Sequence, residues 1–196
     1  MILAFFSSRL FLIFLFPFIL GTLTVFSFQP FNLSYINFAI IPALFLLTVY
    51  VQKKSKNTFR KKPYLLNLFF IGYLFGIGFF LTGTYWISNA LTFDENFKFL
   101  IPIAMLGLPL LLGIFFGIAN LIAGPFLKHN FTSILLFSSS LALMDFLRAK
   151  ILSGFPWNNW AYTWSWQPEM LQSLFHVGFF SFNLFCIIIF CSPLLL

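Results

Sequence analysis

Asp145 and Arg148 stand three residues apart at the end of an apolar run, with Lys150 close behind. On a helix that spacing lets the two side chains pair, and each then lowers the other's cost near lipid. A second chemistry is open to them. The forked donors of the Arg148 guanidinium, with Lys150, suit the phosphate of a phospholipid headgroup. Just beyond comes Gly154-Phe155-Pro156-Trp157, a proline-containing turn, and then Trp160, Tyr162, Trp164 and Trp166. An aromatic belt would place Trp and Tyr at a membrane interface in any case. A fixed turn directly after a charged helix end implies more, namely a shaped surface. Two further segments, Gln29 to Tyr35 and Trp86 to Phe97, also crowd polar and aromatic residues together.

Nucleophilic chemistry is not supported. Cys186 and Cys191 lie in the apolar run from Leu184 to Pro193, which contains no His, Lys, Asp or Glu to activate a thiol. They are expected to be packing or lipid-facing thiols. His176 has no His, Cys or carboxylate at ligand spacing and is expected to be a packing or interface residue. No metal site, no cofactor and no catalytic residue is expected within this chain.

The elements that must position these residues belong in a membrane. Of 196 residues, 61% are hydrophobic and 8% charged, against roughly 25% charged in a soluble domain. A spanning helix needs roughly 20 apolar residues. Runs of that kind extend from Leu10 to Phe28, Leu33 to Val51, Tyr64 to Trp86, Phe97 to Phe126, Phe131 to Leu147 and Met170 to Cys191. The predicted fold is all-α, a polytopic membrane helix bundle of about six transmembrane helices. Pro42 falls inside the second run, and Pro102 and Pro109 are expected to kink the fourth. No small-x-small cleavage site closes the run after Arg9, so it is expected to be a retained first helix rather than a signal. Gly72, Gly76 and Gly83 share one helix face and predict close helix packing, as do Gly113 and Gly117. Ser138, Ser139 and Ser140 are expected to bond to carbonyls of their own helix.

Charge predicts orientation. With the N-terminus in the cytoplasm, that side holds Arg9, Lys53, Lys54, Lys56, Arg60, Lys61, Lys62 and Lys128, and the far side only Lys98, Arg148 and Lys150. All four acidic residues, Asp94, Glu95, Asp145 and Glu169, then fall at the far face. The basic loop between Gln52 and Pro63 has no folded module around it, and topology with anionic headgroups accounts for it without a nucleic-acid partner.

Several stretches, in order, resemble one family. They are Gly21-Thr22-Leu23 with Phe28-Gln29-Pro30-Phe31; Gly72-Tyr73-Leu74-Phe75-Gly76-Ile77-Gly78-Phe79-Phe80 with Gly83 and Trp86-Ile87; Phe146-Leu147-Arg148 with Gly154-Phe155-Pro156-Trp157 and Tyr162-Thr163; and Gly178 with Asn183. The family is apolipoprotein N-acyltransferase, a bacterial inner-membrane enzyme of lipoprotein maturation. Asp145 stands where the family usually has Glu, Ala161 where it usually has Gly, and Ala90 where Ser is common. The family continues into a nitrilase-like domain carrying a catalytic glutamate, lysine and cysteine, and none of that is in this sequence. The resemblance therefore implies that residues 1–196 are the transmembrane N-terminal domain, with the catalytic domain supplied downstream or by a separate chain. It implies a phospholipid acyl donor, a diacylated lipoprotein acceptor and a multi-pass inner-membrane location. It further implies a lipid-substrate cavity at the far face formed by Trp86, Arg148, Gly154, Phe155, Pro156, Trp157 and Tyr162. The rival class is a non-enzymatic integral membrane protein, a transporter half or an assembly subunit, which would need polar residues at the midplane of several helices. Only the serine run offers any.

Overall fold

The computed structural model describes residues 8–57, 64–151, 154 and 156–195, and among these residues it contains helices and no strand. Helix α1 (Phe11–Ser27) opens with a π turn over Phe11–Leu15 and tightens to a 3-10 turn over Thr24–Ser27. It is followed by α2 (Asn37–Asn57), α3 (Tyr64–Gly83), α4 (Ile101–Ala123) and α5 (Phe131–Lys150). Two short helices, α6 (Pro168–Val177) and α7 (Phe179–Phe190), and a 3-10 turn over Ser192–Leu195 follow. Short 3-10 segments, Tyr85–Thr92, Glu95–Leu100 and Trp160–Trp164, connect them at one end of the bundle. Four stretches are long and apolar enough to cross a membrane: Ser34–Lys54, Tyr64–Gly83, Glu95–Phe126 and Phe131–Lys150. The basic residues Arg60, Lys61 and Lys62 lie outside the described residues.

Three expectations are corrected. The sixth run is not one helix. Gly178, at φ +78, ends α6 and begins α7, since glycine enters the left-handed region without a Cβ clash. The 12 residues of α7 rise only about 18 Å, short of the roughly 30 Å of hydrocarbon. The third run stops at Gly83, and Tyr85 and Trp86 belong to a 3-10 segment beyond it. Pro102 does not kink α4. It occupies the first turn, where its missing N–H removes no helical bond, while Pro109 is inside the helix.

Small residues set the helix spacing. A Cβ at Gly72 would collide with the Phe116 carbonyl, and one at Gly76 would stand 2.8 Å from Gly113 Cα, so α3 and α4 touch backbone to backbone. On the opposite side of α3, Gly21 meets the Phe75 carbonyl and Gly78 the Phe18 carbonyl, which brings α1 equally close. In lipid, van der Waals contact of this kind replaces the hydrophobic drive. Gly72 and Gly76 pack against α4 as expected, whereas Gly83, expected on the same stripe, faces the Asn158 side chain of the loop after α5.

Several buried polar groups pair between helices, which offsets the cost of their burial. Asn120 Nδ2 donates to the Leu68 carbonyl (2.8 Å), Thr48 Oγ1 donates to Asn120 Oδ1 (3.2 Å), and Gln52 Nε2 donates to the Pro125 carbonyl (2.6 Å). Arg9 Nη2 donates to Asn67 Oδ1 (2.8 Å), which ties the start of the chain to α3. The serine run differs from its expected role. Ser140 Oγ donates across to the Ala119 carbonyl of α4 (2.7 Å), and Ser138 Oγ lies 3.9 Å from Cys191 Sγ. These hydroxyls join helices rather than bond within one.

A candidate lipid-binding cavity held by a buried ion pair

The fixed point of the far end is Arg148, one of the largest fully buried side chains at 1% exposure. It lies one turn along α5 from Asp145, and Nη2 donates to Asp145 Oδ1 at 3.0 Å. The same nitrogen donates to Asn159 Oδ1 (2.6 Å), and Nη1 donates to the Trp157 carbonyl (2.8 Å). The guanidinium carbon stands 5.0 Å from the centre of the Phe80 ring. Asp145 Oδ2 accepts from Asn183 Nδ2 of α7 (3.0 Å), and Asn183 Oδ1 accepts from the Ala161 backbone N–H (3.1 Å). Two charges are thereby matched, and their hydrogen bonds spread over α5, α7 and the loop after α5. A pair removed from water is tolerated only when its remaining donors and acceptors are met in this way.

The bonds to Asn159 and the Trp157 carbonyl fix the loop. Gly154 turns the chain at φ +79, where any Cβ would meet the Ala149 carbonyl at 2.8 Å. Asn159 Nδ2 donates back to the Pro156 carbonyl (3.0 Å). Trp160 then plugs the core, fully buried, with its ring centre 5.3 Å from that of Phe79. Trp164 is also buried and stacks on Phe190 at 5.9 Å. These two indoles are core residues and not members of an interfacial belt. Trp157 and Tyr162 are exposed instead, and Trp157 meets Trp86 edge to face at 5.4 Å.

Behind that tryptophan pair lies a cavity of about 650 Å³, within the range of pockets that take small organic ligands. Three chain segments converge on it: the turn after α1 (Phe28, Gln29, Phe31), the end of α3 with the 3-10 segment that follows (Thr82, Trp86) and the loop after α5 (Trp157, Tyr162). Asn158, at φ 57, reaches over Gly83, whose lack of a side chain leaves the room. A second hollow of about 570 Å³ shares Trp86 and Trp157 and extends to Asn89 and Phe93.

Of the expected site residues, Trp86, Trp157 and Tyr162 line the cavity. Gly154 and Pro156 shape the loop that carries Trp157, and Phe155 lies outside the described residues. Arg148 is not on the wall. Of its two readings the structure shows the ion pair, and a fully buried guanidinium bonded to Asp145, Asn159 and Trp157 is not presented to a headgroup. Lys150 is exposed, with its ammonium 5.8 Å from the Phe146 ring centre. Sequence reasoning missed Asn159 and Asn183 as parts of the framework. The signal for Asn183 was available: an amide inside an apolar helix must find a partner. Gln29 and Asn158 were missed as wall residues, and only the tertiary fold brings them together. Cys186 and Cys191 are buried packing residues, and His176 is exposed on α6.

The arrangement defines a multi-pass α-helical membrane protein with a pocket built from its interhelical loops at one end of the bundle. Residues 20–192 match the apolipoprotein N-acyltransferase N-terminal domain, and the chain belongs to that family. The apolipoprotein N-acyltransferase of Sinorhizobium medicae is 32% identical over 181 residues, which cover 91% of this chain and 34% of that protein. The protein of the same name from Rhizobium etli is 38% identical over 128 residues, 65% of this chain and 24% of its own length. That from Brucella melitensis is 31% identical over 181 residues, 91% and 34% respectively. The chain thus spans about a quarter to a third of the length of the curated relatives it matches.

Proposed function

We propose that this chain is the membrane-embedded part of an acyltransferase that moves a phospholipid acyl chain to the N-terminal amine of the diacylglyceryl-cysteine of bacterial lipoproteins. The observation that carries this reading is the coincidence of family membership with a loop-built cavity at the end of the bundle. The cavity between Trp86, Trp157 and Tyr162 holds part of a lipid substrate against a nitrilase-like domain, supplied downstream or by a second chain. That domain contributes the glutamate, lysine and cysteine. In the first step its thiol passes its proton to that domain's glutamate and attacks the acyl ester carbonyl, the carbon–oxygen bond breaks, and the lysophospholipid oxygen takes that proton as it leaves. In the second the lipoprotein amine attacks the thioester, the carbon–sulfur bond breaks, and the thiol is restored. This chain supplies position rather than bond chemistry. Arg148 acts at one remove, by holding the Trp157 loop.

The test is Trp157→Ala in a complete enzyme carrying this membrane part. Acyl transfer at equal membrane abundance is expected to fall by about tenfold or more, as loss of a positioning contact does, with thermal stability little changed because Trp157 is half exposed. An unchanged rate would leave the cavity without a role in the reaction.

The 196-residue chain alone is expected to form no protein thioester with a labelled phospholipid. Cys186 and Cys191 are 1% and 0% exposed, and no charged side chain lies within their apolar run. A hydroxylamine-sensitive label on either cysteine would overturn this.

The inner bacterial membrane, with the N-terminus in the cytoplasm, completes the proposal, and the distribution of lysine and arginine supports it. Reporter fusions after Asn57 and after Asn159 are expected to report the cytoplasm and the periplasm respectively. The reverse result would invert the topology.

A further inference from the structure

The connection between α3 and α4 lends Trp86 to the cavity wall and, beyond it, carries an exposed apolar surface centred on Phe93, Phe97 and Phe99. It consists of the 3-10 segments Tyr85–Thr92 and Glu95–Leu100. Phe93 is 91% exposed, Phe99 71% and Phe97 50%, and no residue of Glu95–Leu100 is buried. Its polar side chains are held in local contacts: Asp94 Oδ1 accepts from the Asn96 backbone N–H (2.9 Å), and Lys98 pairs with Glu95. Three phenylalanines facing water would be an unusual surface for a short connection.

We propose that this arm lies in the membrane interface, with Phe93, Phe97 and Phe99 inserted at the boundary between headgroups and acyl chains, so that its partner is the lipid surface itself. Two observations commit it to lipid. The first is continuity. The exposed apolar face of α4, with Ile103, Leu106 and Leu110, runs without interruption into Phe99, and the apolar stretch Glu95–Phe126 is 32 residues long. The second is length. The 23 residues of α4 already rise about 35 Å and fill the roughly 30 Å hydrocarbon core, which leaves the arm at the level of the headgroup layer of a bilayer some 40–45 Å thick. There an aromatic ring gains from burial while neighbouring backbone and charged groups stay hydrated. Asp94, Glu95 and Lys98 are placed among the phenylalanines to serve that hydrated side.

The experiment uses the whole chain in phosphatidylcholine nanodiscs, with a polarity-sensitive fluorophore on Phe93→Cys, Phe99→Cys or, as reference, Glu95→Cys. Cys186 and Cys191 are buried, and the unsubstituted chain gives their labelling background. Labels at 93 and 99 are expected to emit to the blue and to lose most of their emission when the acyl chains are brominated near the carbonyl, with the label at 95 losing much less. The unsubstituted chain provides a second reading that does not depend on tolerance of the substitutions. A phosphatidylcholine with a diazirine near its ester carbonyl is expected to leave adducts on Phe93, Phe97 and Phe99, apart from any on the cavity residues Tyr85 and Trp86. Equal quenching at 93, 95 and 99, or adducts on the helices and none on residues 93–100, would overturn the proposal.

Discussion

Arg148→Ala is expected to destabilise the protein by about 3–5 kcal/mol, the usual cost of leaving one member of a buried ion pair without its partner. Asp145 is 3% exposed, and without Arg148 its remaining described partner would be the amide of Asn183. The loss would not stay at one carboxylate. Asn159 and the Trp157 carbonyl lose their donor in the same step, so the loop that forms one wall of the cavity is released. Thermal unfolding in detergent or nanodiscs would show a large drop in midpoint. The double variant Asp145→Asn with Arg148→Met removes both charges and is expected to recover part of it, because hydrophobic replacement of a whole buried pair is often close to neutral. A single variant as stable as the parent would mean that the pair carries no structural load, and the cavity wall would need another support.

Gly72→Val should be nearly as damaging, by about 3 kcal/mol or more, above the ordinary range for overpacking. The reason is the nature of the obstacle. A new Cβ at Gly72 meets the backbone carbonyl of Phe116 and the Cβ of Asn120 (2.7 Å), and a backbone cannot rotate away as a side-chain tip does. Separation of α3 from α4 would also strain the Asn120 bond to the Leu68 carbonyl. Gly107→Ala is the internal control. Its nearest neighbour would be Ile103 Cγ2 at 3.9 Å, so the substitution is expected to be neutral or stabilising by about 0.5–1 kcal/mol. Equal unfolding midpoints for the two variants would contradict the close α3–α4 contact.

Much of this architecture was legible in the chain itself, because lipid imposes a local rule. Every spanning backbone must satisfy its own hydrogen bonds, so an apolar run of sufficient length becomes a helix whatever surrounds it. That rule delivered α3 to α5 nearly to their ends and α2 less closely, since α2 runs on from Val51 to Asn57, and the glycine spacing in α3 and α4 announced a close contact before any partner was known. The resemblance carried by Phe146-Leu147-Arg148 and the Gly154 to Trp157 turn held as well, since the family match covers residues 20–192.

What the tertiary structure alone decided concerns direction and partner. Composition places tryptophans at an interface, but Trp160 and Trp164 point into the core while Trp157 points out, and nothing local distinguishes them. Hydropathy averages over Gly178 and so hides the break between α6 and α7. The spacing of Asp145 and Arg148 permits a pair or a headgroup clamp equally well. Burial chose the pair, because Asn159 and Asn183, 11 and 38 positions from their respective partners, arrive only when the helices pack. The cavity follows the same logic. Its walls come from three segments far apart in the chain, each marked in the sequence by clustered polar and aromatic residues, and only the packed fold, with the ion pair fixing the last loop, closes them into one site.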